Sequence, residues 1–423
     1  MTFPAIILAL ILSGCTEDKN VTDAETEIPA SEYPFRISSL VIETEKKAPI
    51  VGKDKADYVN CTVVIDSEND EWDNEVTGRI RGRGNSTWLW YPKKPYRIKL
   101  DEKSEILGIG AEKDWVLLAN YRDPTHLMNT FGFALGELTG LPFTNNSRYV
   151  EVTLNGDYIG LYQLTEQVEQ GKNRVEIDDD EGLLISLDAD DGPALNPAGT
   201  DNFWSSIYKM PVCLKYPEDA PASTLQAVKE EFALLEKAIF DRNYDTTAKL
   251  LNIKTLIDYL IIQEVVYNVE VAAPRSIFMF KDKNGLWTMG PLWDFDAGFD
   301  FDWNTMYTGH NYFANYKELV LGTDPAAHKG GYQVPSFFTD LFYNSRFVSE
   351  YKQRWSEIKD HIMSDSWAKA EKYADNLQEP MRRNAIRWPI DKDYETELVN
   401  MKKYLENRVL YLNTIITNYP AGN

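Results

Sequence analysis

The apolar residues of this chain change their spacing near its middle, and that change confines the fold to the α+β class. Up to residue 187 they come in short β-branched and aromatic runs. Segments 37–44, 59–65, 76–81, 95–100, 115–118, 149–154, 158–165 and 182–187 read as strands. Asn155-Gly156-Asp157 joins two of them, a strong hairpin signal because these residues tolerate the left-handed backbone of a tight turn. One helix is expected among the strands. Pro124 suits its first turn, Leu127, Phe131, Leu135 and Leu138 form one stripe, and Gly140 ends it. The second half is mainly helical by period, at 224–241, 253–267, 334–363, 365–387 and 394–417. Segments 276–281 and 287–291 form a hairpin between them. Residues 191–222, rich in Asp, Pro, Gly and Ala, read as a junction between a β-rich lobe (34–190) and a helical lobe (223–418). Roughly 390 residues exceed the usual limit of a single core, so two lobes are expected.

The N-terminus speaks to compartment. Residues 3–14 are nearly all apolar and end in Leu12-Ser13-Gly14-Cys15. The run is too short to span a hydrocarbon core of about 30 Å, so 1–14 is expected to be a secretory signal. Leu-Ser-Gly-Cys has the form of a bacterial lipobox, which makes Cys15 the expected lipidation site and 15–33 a polar tether at a cell-envelope membrane. The net charge of −22 argues against nucleic acid, whose phosphates it would repel, and permits a basic protein substrate. Cys61 and Cys213 could pair or remain buried thiols. His126, His310, His328 and His361 show no zinc-ligand spacing.

Two segments suggest chemistry. Arg81-Gly82-Arg83-Gly84-Asn85-Ser86 is a glycine-rich turn carrying several donors, suited to an anion such as phosphate. It leads into a strand where Tyr96, Ile98 and Leu100 face one way and Arg97 and Lys99 the other. Lys99, helped by Arg97, is the expected phosphate-neutralising cation, with Lys94 a third possibility. Far downstream, Trp293-Asp294-Phe295-Asp296 in extended form would project both carboxylates to one side, a donor set for Mg²⁺ or Mn²⁺. Asn268 and Glu270 follow a helix. Glu270 could accept a proton from a hydroxyl and Asn268 could orient it or bind metal. Each feature has an ordinary alternative: a β-turn, a solvated strand face, an Asp-capped turn, a polar helix end.

These segments resemble the CotH (spore coat protein H) family of atypical, kinase-like proteins. The likeness spans about residues 75–390. It rests on the 82–88 run, Lys94-Pro95-Tyr96-Arg97-Ile98-Lys99, Leu154-Asn155-Gly156, Gly160-Leu161-Tyr162 with Glu166, Trp293-Asp294-Phe295-Asp296 and Arg354-Trp355. The resemblance implies a two-lobe kinase-like fold that transfers the γ-phosphate of ATP to Ser or Thr of a protein, with a divalent metal at Asp294. In such a fold Glu166 would sit at the adenine hinge. One position departs from the family pattern, because Glu270 stands where the family usually has Asp. Its extra C–C bond adds about 1.5 Å, and a misplacement near 1 Å can cost about 10²-fold in rate. A second reading is therefore a pseudokinase lipoprotein that binds a partner. A glycosidase would need a second acid that cannot be placed from sequence.

Overall fold

In the computed structural model, which describes residues 28–197, 199–302, 311–321 and 335–420, the period-two runs of the first half close on themselves. Among the described residues seven strands form a barrel. They are β1 (Ser38–Thr44), β2 (Val59–Asp66), β3 (Asn74–Gly82), β4 (Tyr96–Ile106), β5 (Ile109–Leu118), β6 (Ser147–Leu154) and β7 (Asp157–Glu166). Their order is β1-β2-β3-β4-β5-β7-β6, and β1 closes the ring by pairing parallel to β6, with Leu40 opposite Val152. Closure removes the unpaired edges that would otherwise invite aggregation. Leu40, Ile42, Ile98, Trp115, Leu117, Val152 and Tyr162 fill the interior. Val116, Tyr149 and Leu161 instead join a second, larger core. Alternating side chains of β5 and β7 thus serve both cores, so β7 is buried on both faces.

The larger core gathers the helices around a five-stranded sheet of order β12-β11-β8-β10-β9. Its strands are β8 (Leu183–Leu187), β9 (Asn202–Trp204), β10 (Pro211–Tyr216), β11 (Ile277–Lys281) and β12 (Thr288–Met289). Residues 191–222, read as a junction, thus supply two strands. Moreover, β8 from the first half pairs with β11 from the second. The helices are α1 (Ser86–Trp90), α2 (Met128–Thr139), α3 (Ala222–Phe240), α4 (Tyr244–Leu250), α5 (Ile253–Val266), α6 (Ser336–Thr339), α7 (Ser345–Ile358), α8 (Ala368–Arg387) and α9 (Tyr394–Thr417). α2 begins later than Pro124, because the Asp123 carboxylate accepts from the Thr125 and Met128 N–H groups and fixes the start there. The run 334–363 is broken at Asn344, whose side chain caps α7 by accepting from the N–H groups of Arg346 and Phe347.

The expected signal 1–14, Cys15 and the tether as far as residue 27 lie outside the described residues, as do His310 and His328. The end of the expected tether is folded. Ala30–Phe35 form a 3₁₀ turn, and the Phe35 ring lies 4.7 Å from that of Tyr373. No helix of the described residues is long and apolar enough to cross a membrane. Cys61 and Cys213 are buried free thiols, pushed up by burial to about 12 and about 11 respectively.

Candidate active site

A cleft of about 540 Å³ collects residues far apart in the chain. Arg81 reaches it from the end of β3, Arg83, Gly84, Asn85 and Ser86 from the β3–β4 connection, and Arg97 from β4. Gly84 sits at φ 81°, a left-handed turn that few side chains tolerate. Gly82 has no room for a side chain because the Trp88 ring lies against it. The N–H groups of Gly84 and Asn85 have no backbone acceptor among the described residues, while their neighbours do: Gly82 donates to Gly52 and Arg83 to Pro95.

The acidic wall is held by two helices. Asn129 of α2 accepts from the N–H of Phe295 at 3.1 Å, and Gly132, one turn on, leaves space for the Phe295 ring. α5 ends at Tyr267, in left-handed conformation, and delivers Asn268 and Glu270. The Asn268 side chain accepts from the Glu270 N–H at 3.1 Å and donates to the Asp294 carbonyl at 3.2 Å. It lies behind the cleft as a brace between the two acids' backbones. The segment is not extended as expected: Asp294 has φ 61°. Both Asp294 and Asp296 nevertheless line the cleft, together with Glu270.

Their situations differ. The Arg122 guanidinium holds both Asp296 oxygens, through Nε at 3.2 Å and through Nη2. Among the described residues Asp294 has no such ion pair, and Glu270 Oε2 is buried without a hydrogen-bond partner. Burial, then the charge of Asp296, pushes the Asp294 carboxyl up to about 7. Burial, then Asp294 and Asp296, drives Glu270 well above the usual carboxylate range. Arg83 stands 5.4 Å over the Trp293 ring. Burial lowers its pKa against the opposing pull of Asp294.

Three expected residues, Lys99, Lys94 and Glu166, are elsewhere. Lys99 does not line the cleft. It faces Asp114 directly across the β4–β5 ladder, and its Nζ lies 3.2 Å from that carboxylate. Asp114 also receives Arg97 Nε at 2.7 Å, so one buried acid satisfies both Arg97 and Lys99. Lys94 is likewise diverted, donating to the Trp88 carbonyl at 2.6 Å. Glu166 turns away into a separate cavity of about 410 Å³, where it accepts from Asn146 at 2.9 Å, while Gln167, Val168 and Glu169 line the main cleft. Sequence reasoning missed Arg122, Asn129, Glu169 and Arg275. Asn129 had a signal: with Gly132 it marks a helix face that must receive something bulky. Arg122 had none.

Comparison of the chain with curated proteins yields no match. The family model described as CotH kinase protein matches residues 80–412, from the end of β3 through most of α9. The cleft elements from the glycine turn to Asp296 all fall inside that span, and the chain belongs to the CotH kinase family.

Proposed function

We propose that the protein is an atypical kinase that moves the terminal phosphoryl group of ATP to a hydroxyl of a protein Ser or Thr. The observation that carries this reading is Arg83 and the glycine turn facing Asp294, Asp296 and Glu270 across one cleft. The volume suits a nucleotide, since ligand sites commonly span about 300–1,000 Å³. Arg83, where Lys99 was expected, is the cation aimed at the phosphates.

A divalent cation fits the acidic wall. Among the described residues a Glu270 oxygen without a partner and a buried Asp294 that no cation contacts directly are costly unless further positive charge arrives. Mg²⁺ and Mn²⁺ in such sites are commonly held by one or two carboxylates and completed by phosphate oxygens. Asp294 would be the ion's main protein ligand, and Arg122 keeps Asp296 oriented beside it. The bound ion would neutralise phosphate charge as the bond to the leaving phosphate loosens. In the transfer, the substrate oxygen bonds to the γ-phosphorus, the bond to the β-phosphate oxygen breaks, and the hydroxyl proton passes to Glu270. The cleft is lined by residues of the barrel and of the helical remainder, which supports a two-lobe, kinase-like reading. Lipidation at Cys15 would place this activity at a bacterial envelope membrane, with protein rather than nucleic acid as substrate.

Glu270 also favours a second reading. A base held protonated by its neighbours transfers nothing, and the protein would then be a nucleotide-binding pseudokinase. Two measurements separate the readings. Mg-ATP at about 100 times its dissociation constant should stabilise the native state by about 2.7 kcal/mol, seen as a rise in melting temperature. Labelled ATP should then mark a protein acceptor. A melting shift without labelling selects the pseudokinase, and no shift with any nucleotide rejects both.

A further inference from the structure

The family match begins at residue 80, yet part of the cleft is built by residues before it. The loop between β1 and β2 sends Lys53, Asp54 and Lys55 to the cleft lining. Its backbone is pinned to the glycine turn: the Gly52 carbonyl accepts from the Gly82 N–H at 2.8 Å, and the Lys53 carbonyl accepts from Arg81. The loop is further shaped by Asp57, which accepts from the Asp54 N–H at 2.8 Å. Lys53 Nζ donates to Asn85 Oδ1 at 2.7 Å, at the tip of the turn. Lys55 reaches the opposite wall, 3.5 Å from Glu218 Oε2, through a pair exposed on both sides and therefore readily exchanged. In a chain of net charge −22, two more cations at the mouth of this cleft call for an anion.

We propose that the β1–β2 loop is a phosphate-binding strap, in which Lys53 supplies a cation to the terminal phosphate of a bound nucleotide and Lys55 a second at the cleft mouth. This rests on the nucleotide reading above. The strap is held by backbone hydrogen bonds, so truncating a lysine side chain leaves the loop in place.

The test uses the full protein and isothermal titration with Mg-ATP, Mg-ADP and AMP. Lys53→Ala should weaken Mg-ATP by about tenfold, the loss of one charge-assisted contact. AMP binding should be unchanged, and Lys53→Arg should retain most of the ATP affinity. Lys55→Ala should show the same pattern with a smaller loss. Equal ATP affinity in Lys53→Ala and the unaltered protein overturns the strap while leaving the nucleotide reading intact. An equal loss for ATP and AMP also overturns it, because the lysine would then be acting on the whole site. If the unaltered protein binds none of the three ligands, the nucleotide reading falls and the strap with it.

Discussion

Asp294→Asn should abolish phosphoryl transfer, lowering its rate by about 10³-fold or more, and should make the metal-free protein more stable at neutral pH. The rate follows from losing the carboxylate that holds the cation, whose charge stabilisation is worth several kcal/mol at about 1.4 kcal/mol per decade. The stability gain follows from burial. The folded pKa of Asp294 is raised to about 7, above an unfolded value near 3.9. A carboxyl raised on folding takes up a proton, so its contribution is favourable at low pH. That contribution is lost as pH climbs from about 4 to about 7. For Asp294 alone the loss is at most about 4 kcal/mol, and coupling to Glu270 shares it between the two. Asn carries no such charge. Thermal melts without metal should therefore show the variant above the unaltered protein at pH 7.5, with the gap closing toward pH 4. Saturating Mg-ATP should reverse the order. Labelling at an undiminished rate in the variant would remove Asp294 from the chemistry.

What sequence could show and what it could not divide along a physical line. Local rules were legible. Asn155 and Gly156 turn β6 into β7 with positive φ at both residues, as their dipeptide predicts. Gly140 ends α2 in left-handed conformation, and the apolar alternation of Tyr96, Ile98 and Leu100 points into the barrel. Contacts made at long range were not legible. The parallel pairing of β1 with β6 joins segments over a hundred residues apart, and no turn chemistry announces it. β9 and β10 are short and sit in Pro- and Gly-rich sequence, so composition argued against them. The site divided the same way. Its glycine turn and acidic segment were visible as motifs. The fate of Lys99 and Arg97 depended on Asp114, a residue of a neighbouring strand whose register only the folded sheet reveals. Asn268 had the right neighbourhood, but its work is to brace two backbones rather than to face a ligand.

Gly132→Ala should reduce phosphoryl transfer by about 10²-fold while lowering stability, a pairing opposite to that of Asp294→Asn. On an unobstructed helix the change would stabilise, since Ala is favoured over Gly by about 1 kcal/mol. Here an added Cβ would collide with three ring carbons of Phe295, the most distant at 2.7 Å. Overpacking of this kind costs about 1–3 kcal/mol and should outweigh the propensity gain. The ring has little freedom to yield. Phe133 packs on its edge at 6.2 Å between centroids, and the Phe295 N–H is tied to Asn129. Displacement must therefore pass into the backbone of 294–296, which carries both aspartates. A shift near 1 Å there is enough for a loss of about 10²-fold. The second-site change Phe295→Leu removes ring atoms at the point of collision, so the double variant should regain about tenfold in rate and part of the lost stability. Melting curves and labelled-ATP rates for the single and double variants measure both effects. If Gly132→Ala proves as active as the unaltered protein, the geometry of the acidic segment does not depend on α2. If the double variant is no better than the single, the damage does not travel through the Phe295 ring.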